Sequence, residues 1–269
     1  MDNELMKVGT GNVVYNLGQP PCSGVGLEWS NEELNAALDG RVAAVVFDDE
    51  GNADIGNIFA RLPETGFAQD GLNRLLGDPD QLKDWRVGEA IAETYLSDHR
   101  SCHFPWPYEW DQKKRGSSLP GADLVGFALD DGGYCFAFGE VKTSSEQNYP
   151  PSIMHGRTGL KRQLEDLRDD VPVRDDLVKY LGHRALSAPW HLRFETAAVR
   201  YLQNSFDIHL FGFLVRDVEP HQDDLEVRVE ALKTACPDGM RIELLALYLP
   251  QKILDGIGER MISERKGAD

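Results

Sequence analysis

Two apolar, strand-like runs, Leu124–Leu129 and Tyr134–Lys142, stand on either side of Asp130-Asp131-Gly132-Gly133. An Asp-Gly pair between such runs is a strong hairpin signal, because a type I′ turn needs positive φ at both central residues. With the turn at Asp131-Gly132, Asp130 faces Gly133 and Leu129 faces Tyr134. Continuing outward, Asp123 faces Glu140. Directly opposed residues lie on one side of a sheet with Cβ atoms about 5 Å apart. Two carboxylates in that position repel, and strand pairing alone would not select them. A bound cation removes the conflict. Mg²⁺ is the expected ion, with Mn²⁺ as an alternative, since it takes oxygen ligands and is commonly held by one or two carboxylates plus water and phosphate.

Strand periodicity adds a third member. Lys142 is two residues after Glu140 and projects from the same face, whereas Val141 points the other way into the core. The Val141 carbonyl is a further candidate metal ligand. The even face runs Tyr134, Phe136, Phe138 and then turns polar at Glu140 and Lys142; the odd face, Cys135, Ala137, Gly139 and Val141, is small and apolar. A metal held by Asp123 and Glu140 would polarise a scissile phosphate, and Lys142 would position or help deprotonate the attacking water, or neutralise the phosphate. Glu89, on a helix whose apolar positions (Leu82, Trp85, Val87, Ala90, Ile91, Tyr95, Leu96) recur at three- and four-residue steps, is either a further metal or water ligand or part of a solvated face.

A helix is expected from about Thr158 to Asp169. His155, Arg157, Lys161 and Arg162 gather at its start, either as phosphate contacts aided by the helix N-terminus or as a charged surface paired with Glu165 and Asp169. Gln163 either lines the site or is exposed. Lys113-Lys114-Arg115 is a second basic run, in a loop. His99, Cys102 and His103 lack a fourth ligand at zinc spacing, and Gly9-Thr10-Gly11 lacks the strand and the Gly-Lys-Ser/Thr of a nucleotide loop. Elsewhere, Ser30 with Glu32 and Glu33 reads as a helix start running to Asp39-Gly40. Val42–Phe47 reads as a short buried strand, Asp48–Asn57 as a turn, and His103–Trp110 as a strand or irregular edge. Helix is expected around Asp175–Leu181 and over Lys252–Glu264, and strand over Ile208–Val215 and Glu243–Leu249. Strands with helices between them imply an α/β fold, a mixed β-sheet flanked by helices on both faces. Residues 1–78 are expected to form an N-terminal α/β region and 79–269 the domain carrying the site.

The acidic balance opposes this reading. A formal net charge of −17 across 269 residues repels a polyanion, so an acidic nuclease needs a local basic patch or a partner that delivers the strand. Four scattered cysteines, with no pair at CxxC spacing, fit a reducing cytoplasm. No segment approaches the roughly 20 apolar residues of a membrane span, and the acidic N-terminus does not read as a signal peptide.

Gly121-Ala122-Asp123, a hairpin, and then Gly139-Glu140-Val141-Lys142-Thr143-Ser144 together resemble the PD-(D/E)xK nuclease superfamily. The usual Pro before the aspartate is Ala122 here. The resemblance covers roughly residues 80 to 250 and includes the order of elements, a helix with Glu89 before the hairpin and one with Gln163 after it. It implies a restriction-endonuclease-like core and Mg²⁺-dependent phosphodiester cleavage. Through Trp85–Tyr95, Gly121–Gly126 and Phe138–Ser144, the chain is also similar to HamA-type effectors of the Hachiman anti-phage system. That resemblance implies a DNA-degrading effector acting with a helicase partner of the HamB type, which would supply most of the grip on DNA. A stand-alone restriction or repair nuclease, and a catalytically inactive docking subunit, are the competing expectations.

Overall fold

The computed structural model describes residues 6–59, 66–106, 121–234 and 236–268. Among these described residues, seven strands form one mixed sheet: β1 (Asn12–Gln19), β2 (Cys22–Glu28), β3 (Cys102–Trp106), β4 (Leu124–Asp130), β5 (Gly133–Ser144), β6 (Ile208–Arg216) and β7 (Arg241–Tyr248). Their order is β1-β2-β7-β6-β5-β4-β3. The four central strands β2, β7, β6 and β5 run parallel, and the outer pairs β1–β2, β5–β4 and β4–β3 are antiparallel. The first 78 residues thus supply one end of the same sheet that holds the β4–β5 hairpin.

Helices cover both faces, as the alternation of strand and helix implies. On one face lie α1 (Asn31–Asp39), α2 (Arg41–Val46), α5 (Asp84–His99) and α10 (Ile257–Ala268). They bury Leu34, Val42, Ile91 and Met261 against Ala137, Val141 and Phe213 of the sheet. On the other lie α6 (Leu160–Asp169), α7 (Val171–Ala185), α8 (His191–Gln203) and α9 (Glu226–Thr234), with Leu164, Leu181, Ala197 and Val229 packed among Phe136, Phe138 and Leu210. Between α2 and α5 run α3 (Asp49–Phe59) and α4 (Gly66–Leu76). Among the described residues, no helix is long and apolar enough to cross a membrane.

The hairpin register is the expected one, from Asp130↔Gly133 to Leu124↔Gly139. Its turn differs. Positive φ falls at Gly133 (95°) and not at Asp131 or Gly132, and Asp130 Oδ1 accepts a 2.7 Å bond from the Gly132 N–H. The Asp side chain organises the turn, and the left-handed glycine follows it instead of standing at its centre.

Two further expectations are corrected. Residues 42–47 are not a strand: Arg41–Val46 is helical. Val42 and Val46, one helical turn apart, are both fully buried beside α5. A six-residue apolar run carries no periodicity that separates buried strand from buried helix. The polar stretch read as a turn is α3, which buries none of its residues. Ser30 does cap α1, in a reciprocal capping box with Glu33. The Lys113-Lys114-Arg115 run lies outside the described residues.

Candidate active site at the open end of the hairpin

β4 begins at Leu124, and Asp123 is one residue before it, its N–H donating to the Gly139 carbonyl at 3.0 Å. The strand register ends at Leu124↔Gly139, and just beyond it the Asp123 and Glu140 carboxyls meet through their side chains. Asp123 Oδ2 accepts a 2.8 Å hydrogen bond from the Val141 N–H. In a strand the N–H and C=O of one residue point to the same side, so the Val141 carbonyl is directed to Asp123's side as well. Lys142 Nζ lies 3.4 Å from Glu140 Oε2 and 3.7 Å from Asp123 Oδ2. The sheet face shared by these three residues is the one expected.

Burial makes the cluster electrostatically tense. Glu140 is 1% exposed. Burial, and then the neighbouring Asp123 charge, push its carboxyl well above the ordinary range; Lys142 only partly offsets them. Glu89, on α5, joins the cluster from the side. Its carboxyl is pushed up to about 8, first by burial and then by Asp123, with Arg86 and Lys142 pulling the other way. Arg86 Nη1 bonds Glu89 Oε2 at 3.2 Å.

α5 reaches this position because Gly88 lies directly on β5. A Cβ at residue 88 would stand 2.1 Å from Thr143 Oγ1. Past Lys142, the chain is held by Arg216 at the end of β6, whose guanidinium donates to the Ser144 carbonyl, Ser144 Oγ and the Asn148 carbonyl. Arg216 is itself bonded to Asp224 at 3.2 Å, both side chains fully buried. Arg86, Gly88 and Arg216 carried no sequence signal of their own, since each acts through a contact distant in the chain or hidden in a helix pattern.

The donor set suits a hard divalent cation. Two neighbouring carboxylates, of which the buried Glu140 is disfavoured in its charged form, with a backbone carbonyl turned to the same side, would be relieved by Mg²⁺, and water would complete its shell. Among the described residues, no three His, Cys, Asp or Glu side chains converge as metal ligands, so Asp123, Glu140 and the Val141 carbonyl would be the protein's share.

The basic residues at the start of α6 are placed differently from one another. Lys161 is 3.6 Å from Glu165 and Arg162 is 2.8 Å from Asp166, each one turn along the helix. Their charges are largely committed locally. Arg157 is exposed. The Gln163 Oε1 is buried without a hydrogen-bond partner, on a helix whose Leu160 and Leu164 rest on Gly212, the β6 partner of Glu140. His99 Nε2 is engaged by the Val8 carbonyl at 2.8 Å, and burial lowers His103 to about 4. No protein-family model matches the chain, and no curated protein matches it at a significant level.

Proposed function

We propose that the chain is a Mg²⁺-dependent nuclease that hydrolyses phosphodiester bonds of DNA, acting as the effector subunit beside a helicase in anti-phage defence. The observation that carries the chemistry is the Lys142 amine set between the carboxylates of Asp123 and Glu140. The biological setting rests on the resemblance of Trp85–Tyr95, Gly121–Gly126 and Phe138–Ser144 to HamA-type effectors.

Asp123 and Glu140, with the Val141 carbonyl, would hold the ion. When bound, a divalent ion polarises the phosphoryl oxygen and lowers the pKa of coordinated water. Lys142 orients the nucleophilic water and faces the negative charge that develops on the phosphoryl oxygens. Glu89, close enough to feel the charges of Asp123 and Lys142, would accept a hydrogen bond from that water. Water oxygen bonds to phosphorus and gives up a proton to solvent, the bond to the leaving deoxyribose oxygen breaks, and that oxygen takes up a proton from solvent. The charge of −17 fits a subunit to which the strand is delivered, because a lone acidic nuclease would have to overcome its own field.

The test is cleavage of single- and double-stranded DNA in Mg²⁺ or Mn²⁺, with and without the co-purified helicase. Glu140→Ala and Lys142→Ala are expected to abolish degradation while leaving the circular dichroism spectrum unchanged. Full activity in a folded Glu140→Ala/Lys142→Ala double variant ends the assignment. Sequence-specific cutting with no partner would assign the chain to stand-alone nucleases instead.

A further inference from the structure

The parallel strands β5, β6, β7 and β2 end on one edge of the sheet, and the chain leaves β5 and β6 there to enter α6 and α9. Edges of this kind, at the carboxyl ends of parallel strands, are where open α/β sheets bind ligands. Arg228, in the first turn of α9, is only 8% exposed. Its guanidinium reaches across to the start of α6, where Nη2 donates to His155 Nδ1 at 2.9 Å. A guanidinium has no acceptor, so in this bond His155 Nδ1 accepts and Nε2 is left as the ring's donor.

Among the described residues Arg228 makes no ion pair within 4 Å, and its Nε is buried with no hydrogen-bond partner. Arg216, buried near the end of β6, is by contrast paired with Asp224. The carboxylate whose charge Arg228 feels, Glu165, stands 3.6 Å from Lys161 instead. A buried cation left without a counter-charge is costly, and an anionic ligand offsets that cost.

The neighbouring helix end is prepared for the same ligand. α6 is ten residues long, has Gly159 at its N-cap, no capping side chain and no acid in its first turn. Its first intrahelical bond runs from the Gln163 N–H to the Gly159 carbonyl, so the N–H groups of Leu160, Lys161 and Arg162 have no partner within the helix. His155 is packed against this end: a Cβ on Gly159 would lie 2.1 Å from the His155 carbonyl oxygen. Arg157, exposed, stands between them in sequence.

We infer that Arg228, His155 and the uncapped start of α6 form a phosphate-binding subsite that takes a backbone phosphodiester of the nucleic acid, separate from the bond that is cut. This deepens the nuclease reading and rests on it for the identity of the ligand. Arg228 donates from its unused N–H groups, His155 donates from Nε2, and the helix end contributes its free N–H groups and dipole. α6 packs on β5 and β6 whereas α9 packs on β2. At about 4.8 Å per strand, the subsite lies within roughly two to three strand spacings of Lys142. In a chain this acidic, it gives the strand one local cationic hold beside the carboxylate pair.

The test is fluorescence anisotropy of short labelled single-stranded and duplex DNA, over a range of salt, in the Glu140→Ala background so that nothing is cut. Arg228→Gln is expected to weaken binding several-fold and to lower the slope of log K against log salt by about 1. His155→Ala tests the same subsite at an exposed position, where loss of fold is no explanation, and is expected to give a smaller loss in the same direction. Arg228→Lys should restore part of the affinity. Inorganic phosphate, titrated alone while the His155 ring signals are followed by NMR, should shift them in the parent protein and not in Arg228→Gln. Unchanged DNA affinity and salt slope in folded Arg228→Gln and His155→Ala overturn the inference, even if inorganic phosphate binds. If the wild-type chain cuts nothing with any divalent ion, with or without the helicase, while Arg228→Gln still loses DNA affinity, the nuclease reading falls and the subsite stands.

Discussion

Gly88 and Thr143 are in contact so close that any side chain at position 88 would collide: a Cβ there falls 2.1 Å from Thr143 Oγ1 and 3.3 Å from its Cβ. Thr143 is the residue after Lys142, and Glu89 is the residue after Gly88. The contact thus sets how near Glu89 comes to Asp123 and Lys142.

Alanine at position 88 would ordinarily favour a helix by about 1 kcal/mol. Here the overlap is with a β-branched side chain in the central sheet, which has little freedom to turn away. Gly88→Ala is therefore expected to destabilise by roughly 1–3 kcal/mol, the usual range for overpacking, and to reduce cleavage further by displacing Glu89. Adding Thr143→Ala should recover most of both losses. Urea denaturation of the two variants measures this. A Gly88→Ala protein as stable and active as the parent would show that α5 moves without consequence.

If Glu140 holds the proposed ion, it links stability to metal binding. Its carboxyl is buried and disfavoured in the charged form, so Glu140→Gln should leave the metal-free protein as stable as the parent or more so. The same change removes a charged ligand. In the parent, Mg²⁺ or Mn²⁺ at about 100 times its dissociation constant should stabilise by about 2.7 kcal/mol; in Glu140→Gln most of that gain should vanish. Thermal melts with and without the ion separate the two effects. A Glu140→Gln protein that melts well below the parent without metal, or keeps the full metal-induced gain, contradicts this placement.

The site was legible because a short hairpin leaves little freedom in its register. Counting from Asp130↔Gly133 carries Asp123 to Glu140, and the period of two places Lys142 beside them. The turn inside the hairpin departs from type I′, yet Asp131-Gly132 still occupies the bend and the register is kept. Other elements were hidden for physical reasons. β2, CSGVGLE, spends two of its seven positions on glycine, at 24 and 26, where Val229 and Tyr15 press on the backbone; its strand character lies in the sheet and not in its side chains. β1 is largely exposed and has no clear alternation of apolar and polar residues. The Arg228–His155 bond joins positions 73 residues apart, beyond the reach of any local pattern. Of the two readings open for Lys161 and Arg162, the paired helix surface describes their contacts, with Glu165 and Asp166 one turn further along as the partners.

Buried acids on α5 give the metal-free protein a pH dependence of definite sign. Burial pushes Glu93 up to about 7, with Arg86 and then Arg41 pulling it down and Asp48 adding to the rise; Glu89 is pushed up to about 8. Both lie above the 4.5 of an exposed glutamate. The folded state therefore binds protons that the unfolded chain has released, and stability falls as pH rises from about 4.5 through 7 to 8. Asp130 acts in the opposite sense. Burial works to raise it, but hydrogen bonds from Arg200 and the Gly132 N–H, with the Arg241 charge, hold it down to about 2. Its contribution is present above 3.8 and is lost as pH falls towards 2. His103 and His209, lowered by burial to about 4 and about 3, act in the same sense as Asp130 and cost stability as pH falls below 6.5, so the buried glutamates set a net decline from about pH 6.5 to 8. Glu93→Gln should flatten that decline by about 1 kcal/mol or more between about pH 5 and pH 8, because each tenfold change in an acid's ionisation constant on folding corresponds to about 1.4 kcal/mol. Urea midpoints across this range, measured in chelator, provide the check. Because Glu93 is one turn further along α5 than Glu89 and feels the charges of Arg86, Arg41 and Asp48 instead of the carboxylate pair, the variant should keep the proposed nuclease activity; an unchanged slope would mean that the Glu93 carboxyl reaches water in the folded protein.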